Sequence, residues 1–153
     1  MRIRISTYLD APADRVWQAV KRPVTLLHVT RGMLGFLPAR AFPREWQVGQ
    51  LVRVRLIFLH CLPLWRHELR VVDINEASRE IHSAERGGLV AVWNHWIHLE
   101  PVPRDRCRCT DEIDIETGLW TPAVWLFAYL FYSYRQRRWR QLARSLAKAS
   151  TTR

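Results

Sequence analysis

The stretch Ala91–Pro101, AVWNHWIHLEP, holds two histidines, two tryptophans and an asparagine in one short run. Side chains of these types serve as metal ligands, as acid–base groups or as the lining of a binding cavity. If the run is a β-strand, successive side chains point to opposite faces. Ala91, Trp93, His95, Ile97 and Leu99 then share one face, and Val92, Asn94, Trp96 and His98 share the other. His95 and His98 cannot converge on one ion. The first face is the more apolar and is expected to point inward.

The following run, RCRCTDEIDIE, sorts in the same way. Cys107, Cys109, Asp111, Ile113 and Ile115 fall on one face, against Arg108, Thr110, Glu112, Asp114 and Glu116. This apolar-in, acidic-out alternation leaves Asp111 as the lone inward carboxylate of its strand. A turn centred near Pro103 would place Leu99 opposite Cys107, Ile97 opposite Cys109 and His95 opposite Asp111. Directly opposed residues lie about 4.5–5.5 Å apart at Cβ, so a hydrogen bond or ion pair between His95 and Asp111 is expected. Such a pair admits three roles. It can satisfy a buried carboxylate, anchor the carbonyl or hydroxyl of a ligand, or act as a general base whose tautomer Asp111 sets.

A third polar group comes from the C-terminal region. At 100° per residue, Val124, Ala128, Phe131, Tyr132, Trp139, Leu142 and Leu146 lie nearest Arg135 on one apolar stripe. Arg137, Arg140, Arg144 and Lys148 fall opposite, where solvent is expected. Two readings of Arg135 stay open. Its stem can pack while the guanidinium escapes at a cavity rim. Alternatively it clamps an anion, holding a ligand carboxylate or pairing with Asp111.

No metal or cofactor is expected. His60, Cys61 and His67 straddle a turn, and Cys107-x-Cys109 supplies at most two ligands where a closed zinc site wants four. His67 and His82 are read as satisfied core histidines that face inward if the hairpins close tightly. The chain has no Gly-rich phosphate loop, P-loop or serine nucleophile elbow.

These groups must be positioned by a chain of 153 residues, long enough for one domain with a real core. One domain over residues 1–149 and a disordered tail at 150–153 are expected. RIRISTYL alternates as a strand. DAPADRVWQAV reads as a helix start, with Asp10 as cap, Pro12 in the first turn and Asp14 at the positive helix end. Val24 to Phe42 reads as a short helix, then a loop broken by Gly32, Gly35 and Pro38. From Leu51 five strand-like runs follow, with turns at Pro63, Asn75, Gly87-Gly88 and Pro101–Pro103. A long helix, capped by Thr121, closes the chain. That order suits an α+β fold in which a curved antiparallel sheet wraps a long C-terminal helix.

Within this order the chain resembles the START/Bet v 1-like superfamily, also called SRPBCC, with its helix-grip fold. The resemblance rests on YLDAPADRVWQAV, FPREWQVGQ, WNHWIHLEP followed by CTDEIDIETG, and the terminal YRQRRWRQL. It covers nearly the whole chain and is nearest to small bacterial members described only as ligand-binding or cyclase-like. It implies a deep cavity between sheet and C-terminal helix for an apolar or amphipathic ligand. It implies no reaction, since the superfamily includes carriers as well as cyclases.

The function read from these residues is binding of a hydrophobic or amphipathic small molecule. Trp17, Trp93 and Phe131 line the cavity, and His95, Asp111 and Arg135 are its polar anchors. Two alternatives remain. One is a polyketide cyclase or aromatase-like enzyme using His95 and Asp111. The other is a peripheral membrane protein acting through its basic C-terminal helix. The net charge of +10 is concentrated there: residues 119–153 carry seven basic residues and no acidic one. The outer face of that helix begins with Leu126, Tyr129 and Leu130, a patch suited to a homodimer or to an anionic bilayer surface, with the dimer preferred because the patch is short. Its uncharged run Leu119–Tyr134 would extend about 24 Å as helix, short of a hydrocarbon core of about 30 Å. Nucleic acid ranks last, because Trp139 falls on the core side and cannot stack on a base. The absence of an apolar leader and the lack of a disulfide framework among three cysteines point to the cytoplasm, at most peripheral to the inner membrane.

Overall fold

Seven antiparallel strands form one sheet in the structure, a computed structural model that describes residues 1–88 and 90–148. In chain order the elements are β1 (Arg2–Leu9), α1 (Ala13–Val20), α2 (Pro23–Thr30), β2 (Leu34–Leu37), β3 (Leu51–Phe58), β4 (Leu62–Asn75), β5 (Glu80–Gly87), β6 (Val90–Val102), β7 (Arg106–Glu116) and α3 (Thr121–Lys148). The sheet order is β1-β7-β6-β5-β4-β3-β2, so the first and last strands pair and the others follow as a meander. The sheet curls into a half-barrel against α3. This is the curved sheet around a long C-terminal helix expected from the order of elements, the helix-grip architecture that the resemblance implies.

Alternation in β7 is the clearest reason for that sheet. Cys107, Cys109, Asp111, Ile113 and Ile115 are all buried. In β6, Trp93, His95, Ile97 and Leu99 share the buried face. Ala91 does not join them: it is exposed while Val90 is buried. The cause is an extra residue on β6 between the pairs Glu85–Trp93 and Gly87–Val90, which reverses the alternation as a β-bulge does.

The β6–β7 register also differs from expectation by two residues. Leu99 faces Cys109, Ile97 faces Asp111 and His95 faces Ile113. The turn needs two residues of positive φ, and Arg104 (66°) and Asp105 (51°) supply them. Pro103, whose ring fixes φ near −65°, cannot take such a position, so the turn moves one residue along.

Smaller expectations are corrected too. The loop foreseen around Gly35 contains β2, an edge strand that pairs Gly35 with Ile57. Pro63 lies inside β4 and not in the turn before it. Asp10 does not cap α1, whose N-cap is Pro12; it forms an ion pair with Arg106 at 2.9 Å. The Thr121 hydroxyl accepts from the Thr117 N–H at 3.0 Å and donates to the Gly118 carbonyl at 2.7 Å, tying down the turn before α3. The tail expected from residue 150 lies outside the described residues.

On α3, Ala128, Phe131, Tyr132, Arg135, Gln136, Trp139 and Ala143 are buried, while Arg137, Arg140, Arg144 and Lys148 are exposed. No helix among the described residues is long and apolar enough to cross a membrane.

Candidate ligand-binding site

Buried apolar side chains gather in two clusters. One joins α1 and α2 to the C-terminal half of α3 and includes Val16, Val29 and Trp139. The other surrounds the first half of α3 and includes Trp93, Ile113 and Phe131. A cavity of about 430 Å³ has members of both clusters in its wall, among them Leu69, Ile97, Trp139, Trp93 and Phe131. That volume lies in the range of small-molecule sites, and apolar walls with a few convergent polar groups are their usual lining.

The polar groups converge through the sheet and α3. His95 Nε2 donates to Asp111 Oδ1 at 2.8 Å, although the two are diagonal neighbours and not directly opposed. A long imidazole side chain spans that diagonal. Gln136 Nε2 donates to Asp111 Oδ2 at 2.6 Å, and Arg135 Nη2 lies 3.4 Å from Asp111 Oδ1. The Arg135 guanidinium also sits 5.3 Å from the centre of the Tyr132 ring. Tyr132 accepts from Trp93 Nε1 at 3.3 Å.

His95 and Arg135 line the cavity, whereas Asp111, 0% exposed, stands behind them. Asp111 therefore positions the two groups that a molecule in the cavity would meet. Arg135 is 3% exposed, which removes the reading in which its guanidinium escapes at a rim. Of the two roles proposed for an anion clamp, the structure has Arg135 paired with Asp111.

The electrostatics follow from burial and pairing. Burial drives the His95 imidazole below its ordinary value and outweighs the hydrogen bond to Asp111, so the ring is neutral near pH 7. A carboxylate can only accept, so Nε2 carries the proton and Nδ1 is the basic atom. Burial pushes the Asp111 carboxyl up. The Arg135 guanidinium, the His95 contact and the Gln136 hydrogen bond outweigh it and hold the group ionised, below its ordinary value. Burial works against the Arg135 charge, but Asp111 and its other neighbours more than offset this and Arg135 stays protonated. Burial lifts the Cys107 thiol to about 11 and the Cys109 thiol well above its ordinary value, so neither is a ready nucleophile.

A second imidazole–carboxylate pair lies in the same wall. His67 Nε2 donates to Glu85 Oε2 at 2.8 Å, and Ser83 Oγ donates to Glu85 Oε1 at 3.0 Å. Burial raises the Glu85 carboxyl, yet the contact with His67 and the further contribution of His95 and Ser83 bring it below its ordinary value. Glu85 and Gln136 are not among the residues that the sequence points to, and Tyr132 figures there only as part of the apolar stripe. Alternation from Ile81 through Ser83 places Glu85 inward, and Gln136 follows Tyr132 by one helical turn; both signals were present.

Two other expectations fail on geometry. His82 does not face inward: it stacks on Trp96 at 4.4 Å on the outer face, as alternation from buried Ile81 requires. Trp17 is buried but is not part of the cavity wall; its Nε1 donates to Glu76 Oε2 at 2.6 Å. Trp93 and Phe131 do line the cavity. Among the described residues no group of three or more His, Cys, Asp and Glu side chains is arranged to hold a metal ion.

Comparison with known proteins gives the relationship of the chain. The sequence profile of the domain of unknown function DUF8410 matches residues 7–145. No curated protein sequence matches. Among solved structures, protein CV1439 from Chromobacterium violaceum is similar with a TM-score of 0.72 at 16% identity, over 93% of this chain and 96% of that one. The ZhuI aromatase/cyclase from Streptomyces sp. R1128 is similar with a TM-score of 0.72 at 13% identity, over 94% and 93%. Norcoclaurine synthase from Thalictrum flavum, in complex with dopamine and hydroxybenzaldehyde, follows with a TM-score of 0.65 at 16% identity, over 95% and 87%. At these identities the likeness is one of fold. With its profile matched along most of its length and its sheet gripping α3, the chain belongs to the DUF8410 family and has the helix-grip fold of the START/Bet v 1-like superfamily.

Proposed function

We propose that the chain binds a hydrophobic or amphipathic small molecule in the cavity between the sheet and α3. The observation that carries this reading is the polar cluster inside an otherwise apolar wall. Arg135 lines the cavity, and its Nε is buried with no hydrogen-bond partner among the described residues. Burying a donor without a partner is costly, and a ligand oxygen would relieve that cost. The opposing charge of Asp111 already balances Arg135, so the polar end favoured here is a neutral acceptor, such as a carbonyl, over a carboxylate. That two proteins of this fold are described as an aromatase/cyclase and as a synthase held with dopamine and hydroxybenzaldehyde supports a small-molecule role.

Titration with 2-acetonaphthone, an apolar bicycle with one carbonyl, read by tryptophan quenching, tests this. One saturable site per chain is expected, with affinity about tenfold weaker in Arg135→Met through loss of a hydrogen bond. Unsaturable binding, or binding indifferent to Arg135→Met, would contradict the assignment.

The His95–Asp111 pair favours a second reading, an enzyme of the cyclase or dehydratase type. A neutral imidazole whose tautomer is set by a buried carboxylate is equipped to take a proton, and the Arg135 charge would stabilise an oxyanion beside it. In that reading His95 Nδ1 is the base and Asp111 positions it.

The exposed start of α3 carries a further reading. Leu126, Tyr129 and Leu130 are each about half exposed, and Trp120 is 61% exposed. We read this patch as a homodimer contact, with an anionic bilayer surface as the competing occupant. Light scattering across protein concentrations is expected to show a dimer that Leu126→Glu with Leu130→Glu converts to monomer. A monomer at every concentration defeats the dimer reading, and flotation on anionic but not neutral liposomes would replace it with the membrane one. The reading keeps the chain in the cytoplasm, at most peripheral to a membrane.

A further inference from the structure

Four ionisable residues lie on one diagonal of the inner sheet face. They are His67 on β4, Glu85 on β5, His95 on β6 and Asp111 on β7. The cross-strand pairs are Leu69–Glu85, Ser83–His95 and Ile97–Asp111. Each residue is therefore displaced by two positions from the one opposite its neighbour, always in the same direction. Diagonal neighbours of this kind are about 7–8 Å apart, close enough for long side chains to meet. The row alternates base, acid, base, acid. Hydrogen bonds of 2.8 Å join it into two pairs, His67 with Glu85 and His95 with Asp111.

Arg135 gives the two ends of the row opposite hydrogen-bonding character. At the His95 end, Arg135 adds a donor, its partnerless Nε. At the other end, His67 is 6% exposed and lines the cavity, and its Nε2 is committed to Glu85. Its Nδ1 is buried without a hydrogen-bond partner among the described residues. A ring that donates from Nε2 alone has an acceptor at Nδ1. The Glu85 carboxylate, itself in the wall, is acceptor-only. The molecule that satisfies both ends must accept at one and donate at the other.

We propose that the cavity selects a two-ended aromatic or alicyclic ligand, with a neutral acceptor oxygen toward Arg135 and a hydroxyl or N–H donor toward His67 and Glu85. The inference rests on the small-molecule reading above and adds the second pole. It also assigns His67, taken from sequence as a satisfied core histidine, to ligand selection. Anionic ligands are disfavoured, because two carboxylates already face one arginine across the row.

Calorimetric titration of the full chain with four probes tests the proposal. The probes are 2-acetonaphthone, its 6-hydroxy and 6-methoxy derivatives, and 6-hydroxy-2-naphthoate. The 6-hydroxy ketone is expected to bind about tenfold tighter than the parent ketone, since it satisfies a buried acceptor that the parent leaves unpaired. The methoxy ketone should gain nothing over the parent, and the naphthoate should bind more weakly than the hydroxy ketone. In His67→Phe the hydroxyl advantage should collapse to less than about twofold, with parent binding retained. Glu85→Gln, nearly isosteric, should reduce the advantage while leaving the fold intact. Equal binding of the parent and hydroxy ketones to the wild-type chain overturns the second pole while leaving the small-molecule reading in place. Failure of every probe, parent included, removes that reading and this inference with it. Tighter binding of the naphthoate than of the hydroxy ketone overturns the preference for a neutral end.

Discussion

Asp111→Ala will cost the fold about 3–5 kcal/mol, the range for breaking a buried charge pair by removing one partner. Asp111 is wholly buried and serves three groups: His95, Gln136 and Arg135. Its loss strands a guanidinium that is 3% exposed and two polar side chains that are equally enclosed. A domain of this kind has a total stability of about 5–15 kcal/mol, so the loss is a large fraction of the whole. Adding Arg135→Met to Asp111→Ala removes the stranded charge. The double variant should therefore be less destabilised than the sum of the two single variants, by at least about 1 kcal/mol. Urea unfolding of the four proteins measures this. Additive losses would mean that Arg135 and Asp111 do not depend on each other.

The second large effect is on acid stability. His95, Asp111 and Glu85 all have native values below their ordinary ones. For each of them the unfolded chain binds the proton first as pH falls, so acidification favours unfolding. His95 contributes its share in full above about pH 6.5, its ordinary value, and loses it as pH drops toward its lower native value. The carboxylates contribute in full above about pH 4.5 and lose their share below that. Stability should thus be level between pH 7 and 8, decline below about 6.5 and fall more steeply below about 4.5. His28, lowered mainly by burial and then by Arg138 and Arg31, adds a smaller share to the first decline. His95→Gln keeps a donor for Asp111 and removes the largest part of that first decline. Urea midpoints from pH 4 to 8 provide the comparison. A wild-type chain that gains stability between pH 6.5 and 5 would contradict the neutral, buried state of His95.

The sequence is informative where side chains alternate cleanly. Trp93, His95 and Ile97 on β6, and the inward residues of β7, are legible because the more apolar positions recur at every second residue. Arg135 stands out as a charge in the middle of an apolar helical stripe. The register between β6 and β7 was less legible, because it depends on which residues accept positive φ. That choice fell on Arg104 and Asp105 rather than on Pro103. His95 and Asp111 still meet because the error of two residues preserves the face and a diagonal contact replaces a direct one. Ala91 was misplaced because a bulge leaves no mark on local composition. Glu85 was overlooked because its strand, EIHSAERG, mixes polar residues on both faces, so alternation from the single apolar Ile81 marks the inward carboxylate only weakly. Trp17 illustrates a different limit: helix periodicity gives the buried face of α1, but not which buried residues border the cavity.

The central claim is that a small molecule occupies the space between sheet and α3 against His95 and Arg135. Native mass spectrometry of the freshly purified chain, followed by solvent extraction, tests it most directly. A 1:1 adduct of a small apolar molecule is expected, strongly reduced in the Arg135→Met protein under the same conditions. A chain that emerges at its bare mass, and that takes up neither 2-acetonaphthone nor its 6-hydroxy derivative when these are added in excess, would contradict the account.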